Sequence, residues 1–272
     1  MAIRRIFGLT AATALFLFAV SSWNHRPLKL GPTLPVVKIG YFHGGRNALF
    51  YRTYLSGEFE RNGVRVILMT RNLGETTQLQ AVPGDHSIGY SESYGVVSGR
   101  ELISALVRGE LDGATVGECA FIQGAAEGSK IKAVLTLGTD LAGSNQVGAE
   151  SGVGSVFDCP KLKPGEIRLP PSMLVFRQEF INSYPEEVSG IVTSYVRWQK
   201  HELSLPPSQQ QEIAASDSGQ SRSRSPEFAD PPVVSLSELA TEENKLFDGG
   251  HLSRKVDLGG FIDNHFVTAA LH

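Results

Sequence analysis

The fold is decided by residues 98–140, SGRELISALVRGELDGATVGECAFIQGAAEGSKIKAVLTLGTD. Ser98 followed by Glu101 is a capping box, in which the serine oxygen takes an orphan backbone N–H and the glutamate reaches back to the cap. Leu102, Ile103, Leu106 and Val107 then recur at helical spacing, and Gly109 supplies the left-handed residue that closes a helix over Gly99 to Arg108. The spacing predicts a short strand from Leu111 to Val116 and a small-residue helix from Cys119 to Glu127, closed by Gly128. A further strand follows from Ile131 to Leu137. Strands alternating with helices of this length make parallel βαβ units, and such sheets bind ligands at the carboxyl ends of their strands. Those ends are Gly117-Glu118 and Gly138-Thr139-Asp140.

Upstream, Val36 to Tyr41 reads as a buried strand that runs into Phe42-His43-Gly44-Gly45-Arg46-Asn47. The glycine pair lets backbone N–H groups approach a ligand, and the helix that follows opens with its positive end toward an anion. Leu49, Phe50, Tyr54, Leu55 and Phe59 give that helix a buried face, Asn62-Gly63 ends it, and Val64 to Thr70 is the next strand. Arg71 to Val97 reads as a long irregular insertion containing Pro83, His86, Tyr90 and Tyr94.

The capped helix, the run RGELDGA, the GE turn, the helix ending AAEG and the strand KIKAV resemble the first lobe of bacterial solute-binding proteins. The group is the nitrate, sulfonate and taurine type, which serves ABC transporters. Residues Lys38 to Gly45 (KIGYFHGG) and Phe261 to Phe266 (FIDNHF) fit the same pattern. The resemblance implies an α/β, two-lobed, type II periplasmic-binding-protein-like fold, a small-molecule solute as ligand, no cofactor, and a membrane permease as partner. Lobe one would be residues 36–141, with helices of 231–272 returning to it, and lobe two residues 142–230. The expected ligand site is Tyr41, Phe42, His43, Gly44, Gly45 and Arg46 in the first turn, Gly117, Glu118 and Cys119 in the second, and Thr139 and Asp140 at the third strand end. Arg46 offers a full positive charge, which suits a small anion. A carboxylate at a helix start stabilises that end, and Glu118 would alternatively hold an amine, which admits a zwitterion.

The second lobe reads as reduced. From Gly148 to Pro171 the sequence is glycine- and proline-rich with little periodicity, where the resembled family has complete βαβ units. A strand at Met173 to Arg177 follows. Pro185 then opens an amphipathic helix with Val188, Ile191, Val192, Tyr195 and Trp198 on one face. Residues 203–227 are a polar, low-complexity linker with Ser-Arg alternation, which solvation explains. Ser235 with Glu238 begins another capped helix, and Phe261 to Ala270 gives a last amphipathic one.

The 272 residues are 41% hydrophobic and 19% charged, with a formal net charge of −3. That balance argues against a partner held by phosphate neutralisation, so no nucleic acid is expected. His43 and His86 have no partners at ligand spacing, so no metal site is expected, and no Ser, His and Asp set sits in a nucleophile context. Only Cys119 and Cys159 are present. Their spacing matches no metal motif; one bridge is open to an exported chain, and two small thiols is the reading the sequence favours.

A solute-binding protein of an importer is the reading that these features support. A sensory or partner-binding domain, or a degraded relative, is the alternative suggested by the reduced lobe. An enzyme related to the thiamine pyrimidine synthases shares the fold but needs a cysteine-rich motif that the sequence lacks. Arg4 and Arg5 precede an uncharged apolar run from Ile6 to Val20, with small residues at Ala19-Val20-Ser21. This is the layout of a secretory signal over residues 1–21, an uncleaved anchor being the alternative, and it places the mature protein in the periplasm or otherwise outside the inner membrane. N-terminal sequencing of protein from fractionated cells should find a chain beginning shortly after Ser21; an intact Met1 in a soluble cytoplasmic fraction would refute this.

Overall fold

Val37 and Ile39 alternate with Lys38 and Gly40 along β1 (Val36–Gly40), and this period of two sets the two faces of the sheet. The computed structural model describes residues 34–41, 47–72, 80–81, 94–95, 98–139, 171–206, 208–209 and 227–272. Residues 34–272 form one compact unit. Its strands are β1, β2 (Arg65–Asn72), β3 (Gln80–Ala81), β4 (Tyr94–Gly95), β5 (Gly113–Gly117), β6 (Ile131–Thr139), β7 (Ser172–Arg177) and β8 (Glu227–Phe228). They lie in the order β3-β2-β1-β5-β7-β6-β8, with β4 also paired to β2. Strand β1 runs parallel to β2 and to β5, whereas β7 runs antiparallel to both β5 and β6. Consequently β1, β2, β5 and β6 all point their carboxyl ends to one edge, and β7 starts from that edge.

Helices cover both faces. Helix α1 (Ala48–Leu55), α2 (Glu58–Arg61), α6 (Pro185–Leu203) and α8 (His265–Leu271) enclose a core with Val37, Ile39, Leu68, Leu174 and Phe176. On the other face α3 (Gly99–Val107), α4 (Glu118–Ala126) and α7 (Leu236–Asp248) pack over Ala114, Val116, Met173 and Val175. Helix α5 (Gln178–Ser183) links β7 to α6. Ser98 accepts the Glu101 N–H at 3.2 Å while the Ser98 N–H donates to the Glu101 carboxylate at 3.0 Å, so the expected capping box is formed. Ser235 likewise accepts the Glu238 N–H.

Three sequence expectations change. Strand β5 begins at Gly113 rather than Leu111, because Asp112 is engaged at the strand's foot: it accepts from the Lys38 N–H at 2.9 Å and from the Arg177 guanidinium at 3.1 Å. A side chain at Gly113 would meet the Phe176 ring at 2.7 Å, so the strands close up there only around glycine. The segment after Arg71 is not wholly irregular, since β2 continues to Asn72 and both β3 and β4 pair with its end.

The third change concerns the lobe boundary. The strand expected at Met173 to Arg177 falls within the residues assigned to lobe two, but β7 is a central strand of the first sheet, with Met173 and Val175 on one face and Leu174 and Phe176 on the other. Apolar residues on both faces are what a strand buried between neighbours requires. The chain therefore leaves the sheet after Thr139 and is back at Ser172. One βαβ unit takes about 30 residues or more, so the interval has room for about one such unit. No second sheet is present among the described residues.

A buried ion pair joins α1 to α6. Both Glu202 carboxylate oxygens accept from Arg52 at 2.6 Å, and the Trp198 indole N–H donates to the same carboxylate at 2.8 Å. Each charged side chain is only 11% exposed. Removing one member of a buried, hydrogen-bonded pair is far costlier than the pair's net worth. Glu202→Ala should therefore destabilise the protein by about 3 kcal/mol, read as a lower midpoint in urea unfolding with an unchanged slope.

Candidate functional site

At the carboxyl edge of the sheet Tyr41, which opens the first expected turn, lies at the end of the strand next to the one that runs into Gly117-Glu118. Strands β1 and β5 are adjacent, so Tyr41, just past β1, and Gly117, the last residue of β5, end neighbouring parallel strands. Ser172 joins them from the other side, pairing with Gly117 of β5 and with Gly138 of β6. The ends of β5 and β6 thus both meet the first residue of β7.

Tyr41 extends β1 by one residue, its N–H donating to the Met69 carbonyl at 2.8 Å. Its ring is fully buried and stacks on Tyr51 at 5.6 Å. It belongs to the α1-side core, where it fixes the base of the first turn. Phe42, His43, Gly44, Gly45 and Arg46 lie outside the described residues, as do Asp140, the Thr139 side chain and His86. The Thr139 backbone ends β6 in register with Glu227 of β8.

Gly117 is half-buried and takes an extended conformation as the N-cap of α4. Glu118 is the first residue of that helix rather than the end of the strand, and it is 3% exposed. Its N–H donates to the Pro171 carbonyl at 3.0 Å, which ties the head of α4 to the returning chain. A carboxylate in a helix's first turn gains about 0.3–1 kcal/mol from the aligned peptide dipoles. Cys119 is fully buried and disulfide-bonded, which corrects the expectation of two thiols. Cys159, the chain's only other cysteine, lies outside the described residues.

Two residues that the sequence reading missed sit in the middle of this edge. Asn47 caps the start of α1, yet its side chain makes no capping bond to that helix. Instead its Oδ1 accepts from the Ser172 hydroxyl at 2.7 Å, and both residues are fully buried. Asn47 was legible as an N-cap by position; its true partner was not, because Ser172 follows Pro170-Pro171 in what reads as loop. Thr70 is a third buried polar group here, next to the Met69 carbonyl that holds Tyr41. Chemically, the described part of the edge offers two helix starts, hydroxyl and amide hydrogen-bonding groups, and one buried carboxyl.

Solved structures share this fold. A Candida albicans protein described as defining a new family with the generic periplasmic binding protein fold superposes with a TM-score of 0.53 at 12% identity, covering 85% of this chain and 97% of that one. The fold is that of the periplasmic binding proteins. A ligand-binding component of an ABC-type import system from Staphylococcus aureus, with zinc bound, matches at TM-score 0.52 and 12% identity over 87% of this chain and 99% of that one. A putative periplasmic sulfonate-binding protein from Methylobacillus flagellatus KT matches at 0.52 and 14% over 89% and 95%. No protein-family model and no curated protein matches the sequence. Within this periplasmic-binding-protein-like architecture the second lobe is reduced, as the short interval between β6 and β7 requires.

The hydroxyl of Ser172 should matter to the edge as a whole, since it ties the first turn to the returning strand. Ser172→Ala removes a buried donor and should cost about 1–2 kcal/mol of stability, measurable by thermal or urea unfolding. A change within about 0.5 kcal/mol would show that the Ser172–Asn47 bond does not hold the edge together.

Proposed function

We propose that this protein is exported and captures a small anionic or zwitterionic organic solute at the carboxyl edge of its sheet, for delivery to the membrane permease of an ABC importer. The observation that carries this reading is that β1, which runs out into Tyr41, and β5, which runs into the Gly117-Glu118 turn, are adjacent parallel strands with their carboxyl ends at the same edge. In open α/β sheets that is where ligands bind. Arg46 would neutralise an acidic group of the solute, and Glu118, at the head of α4, would favour an ammonium group on the same molecule. The resemblance to the nitrate, sulfonate and taurine group supports solutes of that size and charge.

The reduced second lobe favours one other reading, a sensory or partner-binding domain. A clamshell site buries most of its ligand between two preformed walls, and the loss of one wall removes polar partners and admits water. Solute affinity should accordingly be weak, on the order of millimolar rather than micromolar. Dialysed protein should show an upward thermal shift with nitrate, sulfate, taurine or an aliphatic sulfonate at millimolar concentration. Arg46→Ala should weaken that binding by about 1.5–3 kcal/mol in titration calorimetry without changing the circular dichroism. A panel that produces no shift at all, from folded protein, would overturn the solute-binding reading in favour of the partner-binding one.

A further inference from the structure

We infer that the Thr70 hydroxyl is a solute contact, donating a hydrogen bond to an oxygen of the solute's anionic group and so setting that end of the molecule on the α1 side of the edge. The inference rests on the solute-binding reading and adds to it a residue and an orientation. Thr70 lies near the carboxyl end of β2, one residue past Met69, whose carbonyl accepts the Tyr41 N–H at 2.8 Å. Gly40 pairs with Met69, so Thr70 stands level with Tyr41, where the first expected turn begins. Side chains alternate between the faces of a strand. Val66 and Leu68 belong to the α1-side core and Met69 packs against the other core, which puts Thr70 on the α1 face.

The Thr70 hydroxyl differs from its counterparts. Among the described residues four threonines are buried, and three of them give the hydroxyl to a carbonyl: Thr53 to Leu49 at 2.8 Å, Thr115 to Gly40 at 3.5 Å and Thr136 to Val233 at 3.2 Å. Thr70 is 1% exposed, and its hydroxyl has no hydrogen-bond partner among the described residues. A buried polar group in this condition destabilises the fold, and native proteins hold few of them. Valine has nearly the same shape, suits a strand as well and lacks the hydroxyl. The loss is recovered only when an acceptor arrives, and Thr70 sits at the edge where α/β sheets bind ligands.

The sign of the acceptor follows from its surroundings. A hydroxyl bonds more strongly to a charged oxygen than to a neutral one. No side chain caps the head of α1, because Asn47 is engaged with Ser172, and the first-turn N–H groups of that helix favour the same negative charge. Glu118 heads α4, which covers the opposite face of the sheet. A zwitterion would therefore lie across the edge, its acidic end toward Thr70 and its ammonium group toward Glu118.

The test compares the full chain with Thr70→Val and Thr70→Ser by thermal unfolding, alone and with taurine or ethanesulfonate, each against sodium chloride at equal ionic strength. Without solute, Thr70→Val should be at least as stable as the parent. It should need about tenfold more of either solute for the same shift, the loss being equal because the hydroxyl meets the sulfonate end that both share. Thr70→Ser keeps the hydroxyl but loses a buried methyl, so it should unfold earlier and respond to solute as the parent does. A Thr70→Val Tm more than about 2 °C below the parent without solute would show that the hydroxyl is already bonded, and would overturn the inference. So would a loss confined to taurine, or a Thr70→Ser response as weak as that of Thr70→Val. A parent that responds to neither solute removes the solute-binding reading and this inference with it; a responding parent matched by Thr70→Val removes this inference alone.

Discussion

A chain that leaves a sheet from its carboxyl edge and comes back as the strand between two of its own parallel strands must run against both. Strand β7 does this, and its six residues hydrogen-bond to β5 on one side and to β6 on the other. Neither β5 nor β6 touches the other directly, so the second core exists only because β7 fills the gap with Met173 and Val175. The same strand gives Leu174 and Phe176 to the first core. Its first residue is where the candidate site is tied, through the Ser172 hydroxyl, and its last is where Arg177 clamps Asp112 and the Leu111 carbonyl at the opposite edge. The site is thus held from the middle of the sheet rather than from its rim.

The helices on the α1 side are fixed by polar groups that have little access to water. Tyr195 of α6 is fully buried, and burial holds its hydroxyl protonated well above the usual tyrosine range. The hydroxyl can then donate to the Leu137 carbonyl at 2.9 Å, linking α6 to β6. Arg52 and Glu202 make the corresponding link from α6 to α1, with Arg52 also lying 5.5 Å from the centre of the Phe228 ring. A buried pair of this kind adds little net stability but penalises misplacement, so it fixes how α6 sits on the helix that begins at the candidate site.

Much of this was readable from residue order, and the reasons are local. The Ser98–Glu101 box, the periodicity of Leu102 to Leu106 and the Gly109 stop depend on neighbours within a few positions, and the helix forms as the sequence predicts. The α/β alternation and the parallel pairing of β1 with β5 follow from rules that short-range pattern can invoke. What was not legible depends on pairing across long separations. Ser172 meets Asn47 across 125 positions, and Cys119 meets Glu242 across 123. No local signal marks either. The apolar run from Met173 to Phe176 showed a buried strand but not which sheet would receive it, since a central position in either lobe demands the same residues.

The outer side of β6 is covered largely by backbone that belongs to no long strand. The Thr136 N–H donates to the Pro232 carbonyl, Asp263 donates to the Ala133 carbonyl, and β8 takes only Gly138 and Thr139. An edge strand left bare is a template for pairing with another chain. A polypeptide synthesised from its N-terminus completes β6 well before Pro232 and Asp263 exist. During that interval the nascent sheet carries an open edge nine residues long, and the last quarter of the chain is what closes it against a neighbouring nascent copy.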